Sequence, residues 1–169
     1  MDSARPLRRR ALCAISGALA AWGQAGCGFA LRQPPRLAFK SIALTGFEPR
    51  STLAEELRRQ MAAQVSVLPS PDKAEVVLHA LADRRERSVV ASTAAAQVRE
   101  LQLRLRFEFR VSTPDGRELM PRAALQLSRD MSTSETAALA KEYEEAELFR
   151  EMQSDIVAQV MRRLASVRV

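Results

Sequence analysis

Few residues in this chain of 169 could do chemistry, and most of them stand alone. His79, in VVLHAL, is the only histidine, and no second histidine or cysteine stands with it to complete a metal site. It reads as a satisfied strand histidine. Acids cluster in Asp83–Glu86 and Glu142–Glu147, but on stretches patterned as exposed they read as solvated charge rather than a general acid and base. Serines and threonines lack a base in any motif context. The six glycines are scattered, so no loop is built to cradle phosphate. The residues argue against an enzyme and call for no cofactor and no metal.

One residue does pose a chemical question. Cys27 sits in GQAGCGFALR and no cysteine follows it. A lone thiol can be a core residue, a metal ligand, a nucleophile or a point of attachment, and its surroundings decide. Arg5, Arg8, Arg9 and Arg10 precede an apolar run from Ala11 to Trp22, and small residues then lead to Cys27. That is the layout of a secretory signal. A membrane anchor would need about 20 apolar residues, and this run is shorter. Ala25-Gly26-Cys27 looks like a lipobox, in which the thiol is alkylated with diacylglycerol and the new amino terminus acylated. Gln24 stands where that motif favours leucine. Cys13 would leave with the signal, so the mature chain could form no internal disulfide, and a thioether avoids the hazard of a free thiol in an oxidising compartment. Gly28 rather than Asp follows the cysteine, which by the lipoprotein sorting rule permits export to the outer membrane. The expected organisation is a lipoprotein signal over 1–26, a lipidated terminus with a Pro-rich spacer over 27–36, and one domain over 37–169.

The elements must position whatever the rest of the chain does. Hydrophobic residues make up 47% and charged residues 27%, enough for a packed core. The net charge is +6, of which residues 1–27 carry +3 from four arginines against Asp2, leaving +3 on the remainder. The later arginines are interleaved with acids, and no dense basic stripe marks a nucleic-acid partner. Leu37–Thr45 reads as a strand ended by Gly46. STLAEELRRQMAAQVSVL opens as a helix, with capping-box spacing at Thr52 and Glu55 and with Leu53, Leu57, Met61 and Val65 on one face. Pro69 and Pro71 stop it. A second strand starts near Glu75 and runs toward Val90, and Ala91–Gln97 reads as a loop or hairpin end. In ELQLRLRFEFRV, Leu101, Leu103, Leu105, Phe107, Phe109 and Val111 alternate with polar residues, the signature of a strand buried on one side. Pro114-Asp115-Gly116 turns the chain into a return strand through Ala123, Leu125 and Leu127. Ser132 and Glu135 repeat the capping-box spacing, and a helix follows to about Leu164 with an apolar stripe at Phe149, Met152, Ile156, Val160 and Leu164.

The predicted order is β-α-β-β-β-α. It gives an α+β two-layer sandwich, a four-stranded mixed sheet with both helices on one face and the other face left polar. Arg104, Arg106 and Arg110 share that polar face with Gln102 and Glu108. It is either a solvated strand face or a surface that meets anionic groups, since arginine offers bidentate donors to phosphate.

Several segments together resemble the LptE (RlpB) family of lipopolysaccharide-assembly lipoproteins: AGCGFALR, the PP spacer, LAEELRRQM, ELQLRLRFEFRV, SRDMS, and ALAKEYEEAEL followed by MQSDIVAQVMRRL. The resemblance covers nearly all of the chain after Cys27. It implies a lipid-anchored outer-membrane protein that plugs the large β-barrel LptD, helps that barrel assemble and contacts lipopolysaccharide. It implies the same sandwich of two helices on a four-stranded sheet. Lys141, in ALAKE, matches a basic position implicated in lipopolysaccharide contact. A second such arginine has no counterpart in ASTAAA, and Arg99 or Arg104 would take its place. A lipoprotein auxiliary of another envelope transport or secretion system would share the signal, the cysteine and the domain type.

Overall fold

The computed structural model describes residues 35–92, 98–132 and 138–169. Cys27, the expected signal, Glu135 and most of the ASTAAAQ segment lie outside them. The elements are β1 (Ser41–Thr45), α1 (Thr52–Ala62), β2 (Ser66–Leu68), a 3-10 turn at Pro71–Lys73, β3 (Val76–Ser92), β4 (Val98–Ser112), β5 (Glu118–Ser132) and α2 (Ala138–Leu164).

The sheet has five strands in the order β2-β1-β3-β4-β5, one more than the sequence predicts. β1 pairs parallel with both β2 and β3, whereas β3, β4 and β5 form an antiparallel meander. The extra strand is the VSVL segment expected to end α1. α1 stops at Ala62, and Gln64 and Val65 both donate to the Met61 carbonyl at 2.9 Å. Ser66–Leu68 then pairs with Ser41–Ala43 before Pro69 cuts the strand short. Pairing with β1, where Val67 lies opposite Ile42, outweighs a helix running into proline. The α1 cap is also one residue earlier than predicted: Ser51 Oγ accepts from Ala54 N at 3.1 Å, which leaves the Thr52 hydroxyl to donate to Gln153 Oε1 at 2.7 Å.

Both helices lie over one side of the sheet. Leu53, Leu57 and Met61 of α1, and Met152, Ile156, Val160 and Leu164 of α2, are buried against Leu103, Leu105, Phe107, Phe109 and Val111 of β4. Phe107 stacks between Phe109 and Phe47, with ring centroids 5.3 and 5.7 Å away. Gly46 ends β1 with φ of +78°, and a Cβ there would stand 2.3 Å from the Ala80 carbonyl oxygen. Only glycine allows β1 to turn away this close to β3.

β3 continues well past the end of β1, so its far half, with β4 and β5, makes a three-stranded sheet. A register shift falls between Ala80 and Ala82, leaving Leu81 as the extra, half-exposed residue. Before it Leu78 and Ala80 lie opposite core residues of β4; after it Asp83, Arg85 and Arg87 do. These charged side chains reach polar partners on the helices. Ser51 Oγ donates to Asp83 Oδ2 at 2.7 Å, and Arg85 Nη2 donates to Thr52 Oγ1 at 2.7 Å and to Gln153 Oε1 at 2.6 Å. Arg87 pairs with Glu145 at 3.3 Å.

Candidate functional site on the open face of the sheet

With Leu103 to Val111 committed to the core, alternation turns Gln102, Arg104, Arg106, Glu108 and Arg110 of β4 away from the helices. The register extends this face across three strands. On β3, Glu86 lies opposite Arg104, Arg84 opposite Arg106, Ala82 opposite Glu108 and His79 opposite Arg110. On β5, Ser128, Gln126 and Ala124 lie opposite Arg104, Arg106 and Glu108. Arg122 precedes Ala123, the partner of Phe109, and so stands beside Arg110.

Glu108 organises this face. Although no helix covers it, its side chain is only 3% exposed, because guanidinium groups close over it from both directions along the sheet. Arg106 donates through Nε at 2.7 Å and through Nη2, and Arg122 donates through Nη2 to the other carboxylate oxygen. The hydrogen bonds from Arg106, then those from Arg122, hold the Glu108 carboxyl below the usual carboxylate range, against an opposing push from burial. Its cross-strand neighbours, Ala82 and Ala124, are small, which leaves space for the two guanidinium groups that lie over Glu108. Arg84 and Arg110 have no carboxylate partner among the described residues, and both are exposed. Arg84 stands directly across from Arg106, a like-charge pair that opposes folding unless an anion sits near it.

Two polar chains flank the arginines. Arg104 Nε donates to Gln102 Oε1 at 2.7 Å, and Gln102 Nε2 donates to Asp130 Oδ1 at 3.0 Å. His79 bridges Thr45 Oγ1, 2.9 Å from Nδ1, and Ser112 Oγ, 3.0 Å from Nε2. Burial and then the Arg110 charge lower its pKa, which favours the neutral ring. His79 is thus a hydrogen-bonded strand residue, as its context in the sequence implied.

The three basic residues expected to contact lipopolysaccharide do not form one cluster. Arg104 lies on the open face. Lys141, in the first turns of α2, donates from Nζ to Ser132 Oγ at 3.3 Å and pairs with Glu144 at 2.7 Å. Ser132 is the β5 partner of Glu100, so Lys141 and the β4 residue Arg99 are brought to the same end of the sheet. Arg104 is five residues further along, about 17 Å at strand rise. Arg84 and Arg122 were missed as members of the open face. The signal for Arg122 was present in the alternation of the return strand; the signal for Arg84 was hidden by the shift at Leu81.

A family model described as LptE, Lipopolysaccharide-assembly, matches residues 39–164. The chain belongs to the LptE family. Among curated proteins it is similar to the LPS-assembly lipoprotein LptE of Yersinia enterocolitica, 28% identical over 167 residues, covering 95% of this chain and 78% of the relative. Among solved structures it is similar to lipoprotein B of Nitrosomonas europaea, with a TM-score of 0.70 and 27% identity over 82% of this chain and 91% of that one. The rare lipoprotein B of Shewanella oneidensis shares the fold, with a TM-score of 0.63 and 24% identity, covering 75% of this chain and 95% of that one. The LptE match spans every element from β1 to α2, including the Glu108 row and Lys141.

Proposed function

We propose that this protein is a lipopolysaccharide-assembly lipoprotein of the outer membrane that plugs the LptD β-barrel, assists its assembly and binds lipopolysaccharide on its way to the outer leaflet. Residues 1–26 are the cleaved lipoprotein signal, Cys27 carries the lipid, residues 27–36 are the tether and residues 37–169 the plug. No catalytic step enters this function. The match of one assembly-lipoprotein family across residues 39–164 carries the reading. The form of the domain supports it. Helices seal one side of the sheet, while the other is polar and rich in guanidinium groups, a surface suited to the polar lumen of a membrane barrel. Lipopolysaccharide is a phosphorylated amphiphile, and Lys141, Arg99 and Arg104 are its candidate cationic contacts.

The test is extraction of the native protein in mild detergent. The expected product is a one-to-one complex with a very large outer-membrane barrel. Recovery without a barrel, bound instead to inner-membrane transporter components, would favour an auxiliary of another export system. In the purified mature chain, Lys141→Glu is expected to weaken lipopolysaccharide binding with the fold intact; unchanged binding removes Lys141 from the site.

A further inference from the structure

One end of the domain gathers its excess of positive charge. Lys40 N donates to Glu75 Oε2 at 2.7 Å and Ser41 pairs with Ser66, so the segment entering β1 and the starts of β2 and β3 lie together. Val77 is opposite Ser112, and Ser112 opposite Glu118, which brings the turn between β4 and β5 to the same end. Both helices finish there. α1 ends beside Gln64, which accepts from Leu37 N at 3.3 Å. α2 starts at the opposite end, beside Ser132, and meets the start of α1 where Gln153 bonds Thr52 and Glu56, so the two then run in the same direction. Exposed Arg36, Lys40, Lys73, Arg117, Arg162 and Arg163 are spread over this end, and none has a carboxylate partner among the described residues. Arg59 in the last turn of α1 and Arg168 after α2 add two more cations. The acids here are Asp72, Glu75, Asp115 and Glu118. Eight cations against four acids leave a side-chain balance of +4, more than the +3 of the whole chain after residue 27. Helix dipoles account for cations at the ends of α1 and α2, but not for Arg36, Lys40, Lys73 or Arg117, which lie on no α-helix.

We propose that this end is a membrane contact in its own right, seated on the anionic phospholipid headgroups of the leaflet that holds the lipid on Cys27. The proposal rests on the tether reading above. The chain enters the domain at Pro35, at this end, and the eight peptide steps from Cys27 to Pro35 reach at most about 28 Å. A lipid on Cys27 therefore cannot let these cations move further than that from the bilayer. Five strands at about 4.8 Å spacing make the end about 20 Å across. Its cations are thus spread as a charged surface would meet them, not gathered on one small anion. Each lysine or arginine near an anionic leaflet adds its own attraction, which falls off within a Debye length of about 8 Å at physiological salt. A basic patch beside a lipidated residue makes a second hold on the membrane and fixes which end of the domain faces it.

The experiment uses the chain from residue 27 with Cys27→Ala and no lipid, since residues 35–169 form one compact unit with its own core. Its binding is measured to vesicles of phosphatidylglycerol and phosphatidylethanolamine in equal parts, and to neutral vesicles of phosphatidylcholine. The anionic vesicles are expected to bind it, the neutral ones not, and added salt should release it. Arg36→Gln/Arg117→Gln/Arg163→Gln takes one cation from each of three elements at this end and should weaken vesicle binding by about tenfold or more. Arg84→Gln/Arg104→Gln/Arg129→Gln removes as many charges from the other half of the sheet and should leave binding close to wild type. Thermal melting reports whether each variant keeps the fold. Equal binding to both kinds of vesicle, or equal losses in the two triple variants, overturns the proposal. So does an end variant that keeps vesicle binding but loses lipopolysaccharide or fails to pair with the proposed barrel, which would assign this end to that partner. Because the assayed chain carries no lipid, any of these failures leaves the tether reading standing, and that reading falls separately on an unmodified Cys27 in the native protein.

Discussion

On a sheet face open to water a glutamate ordinarily extends into solvent. Glu108 instead lies flat, and its burial is the work of the two arginines that hold it. Removing its charge leaves Arg106 and Arg122 without the group that gathers them, on a face that also carries Arg84 and Arg110. Glu108→Gln is therefore expected to lower the melting temperature, and to do so more at low salt than at high salt, because screening relieves repulsion among exposed charges. The acid limb follows from the same contacts. The folded carboxyl has a lower pKa than the unfolded one, so the unfolded chain takes up the proton first as pH falls. The stability that Glu108 contributes is complete above the ordinary carboxylate value and is lost as pH drops through the folded one. Urea midpoints recorded against pH should fall less steeply on the acid side for Glu108→Gln than for wild type. Coincident slopes would deny Glu108 this role. His79 offers a cleaner readout because it is the chain's only histidine. Its ring should titrate below 6.5 by NMR, and Arg110→Gln should move the midpoint upward by removing the second of its two depressing influences. Its linkage has the same sign: the neutral folded ring contributes fully above the unfolded value near 6.5 and progressively less below it.

At the scale of elements, the tightest constraint is the turn after β1. Gly46 is the residue that lets β1 leave the sheet within reach of the Ala80 carbonyl. Gly46→Ala would add both a side chain at positive φ and a clash with backbone, and should cost roughly 2 kcal/mol or more. Denaturant titration of the variant checks this, and a change within error would mean that the turn relaxes freely. Which elements were legible follows from how each is stabilised. β4 could be read outright, since eleven of its residues alternate without a break and Leu103 to Val111 on one side are buried in the core. The C-terminal part of α2 could be read for the same reason: its stripe from Phe149 to Leu164 is buried as the spacing implied. β2 was hidden because three residues carry no periodicity, and its stability comes from pairing with β1, a partner 25 residues earlier in the chain. β3 was legible at its start and opaque after Leu81, where one inserted residue exchanges the two faces. The candidate site shared that fate. Arg104, Arg106 and Arg110 were placed on the polar face by β4 alone, whereas Arg84 could join them only once the register was known.

At the scale of the whole molecule, the described domain should not depend on its anchor to fold. Residues 35–169 form one compact unit with a continuous core from Phe39 to Val167. Leu37 N donates to Gln64 Oε1 at 3.3 Å and Lys40 N to Glu75 Oε2 at 2.7 Å, so the chain is tied to the domain within a few residues of Pro35. The proposed lipid on Cys27 then supplies location rather than structure. Two or more acyl chains, at about 0.8 kcal/mol per buried methylene, hold a protein at a bilayer where one chain does not. Cys27→Ala is expected to leave the signal uncleaved by the lipoprotein route and to remove the protein from the outer-membrane fraction, with the folded domain unchanged by circular dichroism. Mixed in detergent with the proposed barrel partner, the same variant should still form the one-to-one complex if the docking surface lies on the folded domain, as proposed. Mass spectrometry of the wild-type amino terminus is the companion measurement, and an unmodified Cys27 thiol there would remove the anchor from the account. A variant that reached the outer membrane normally but failed to pair in detergent would reverse the assignment, making the terminus the docking element and the sheet a passenger.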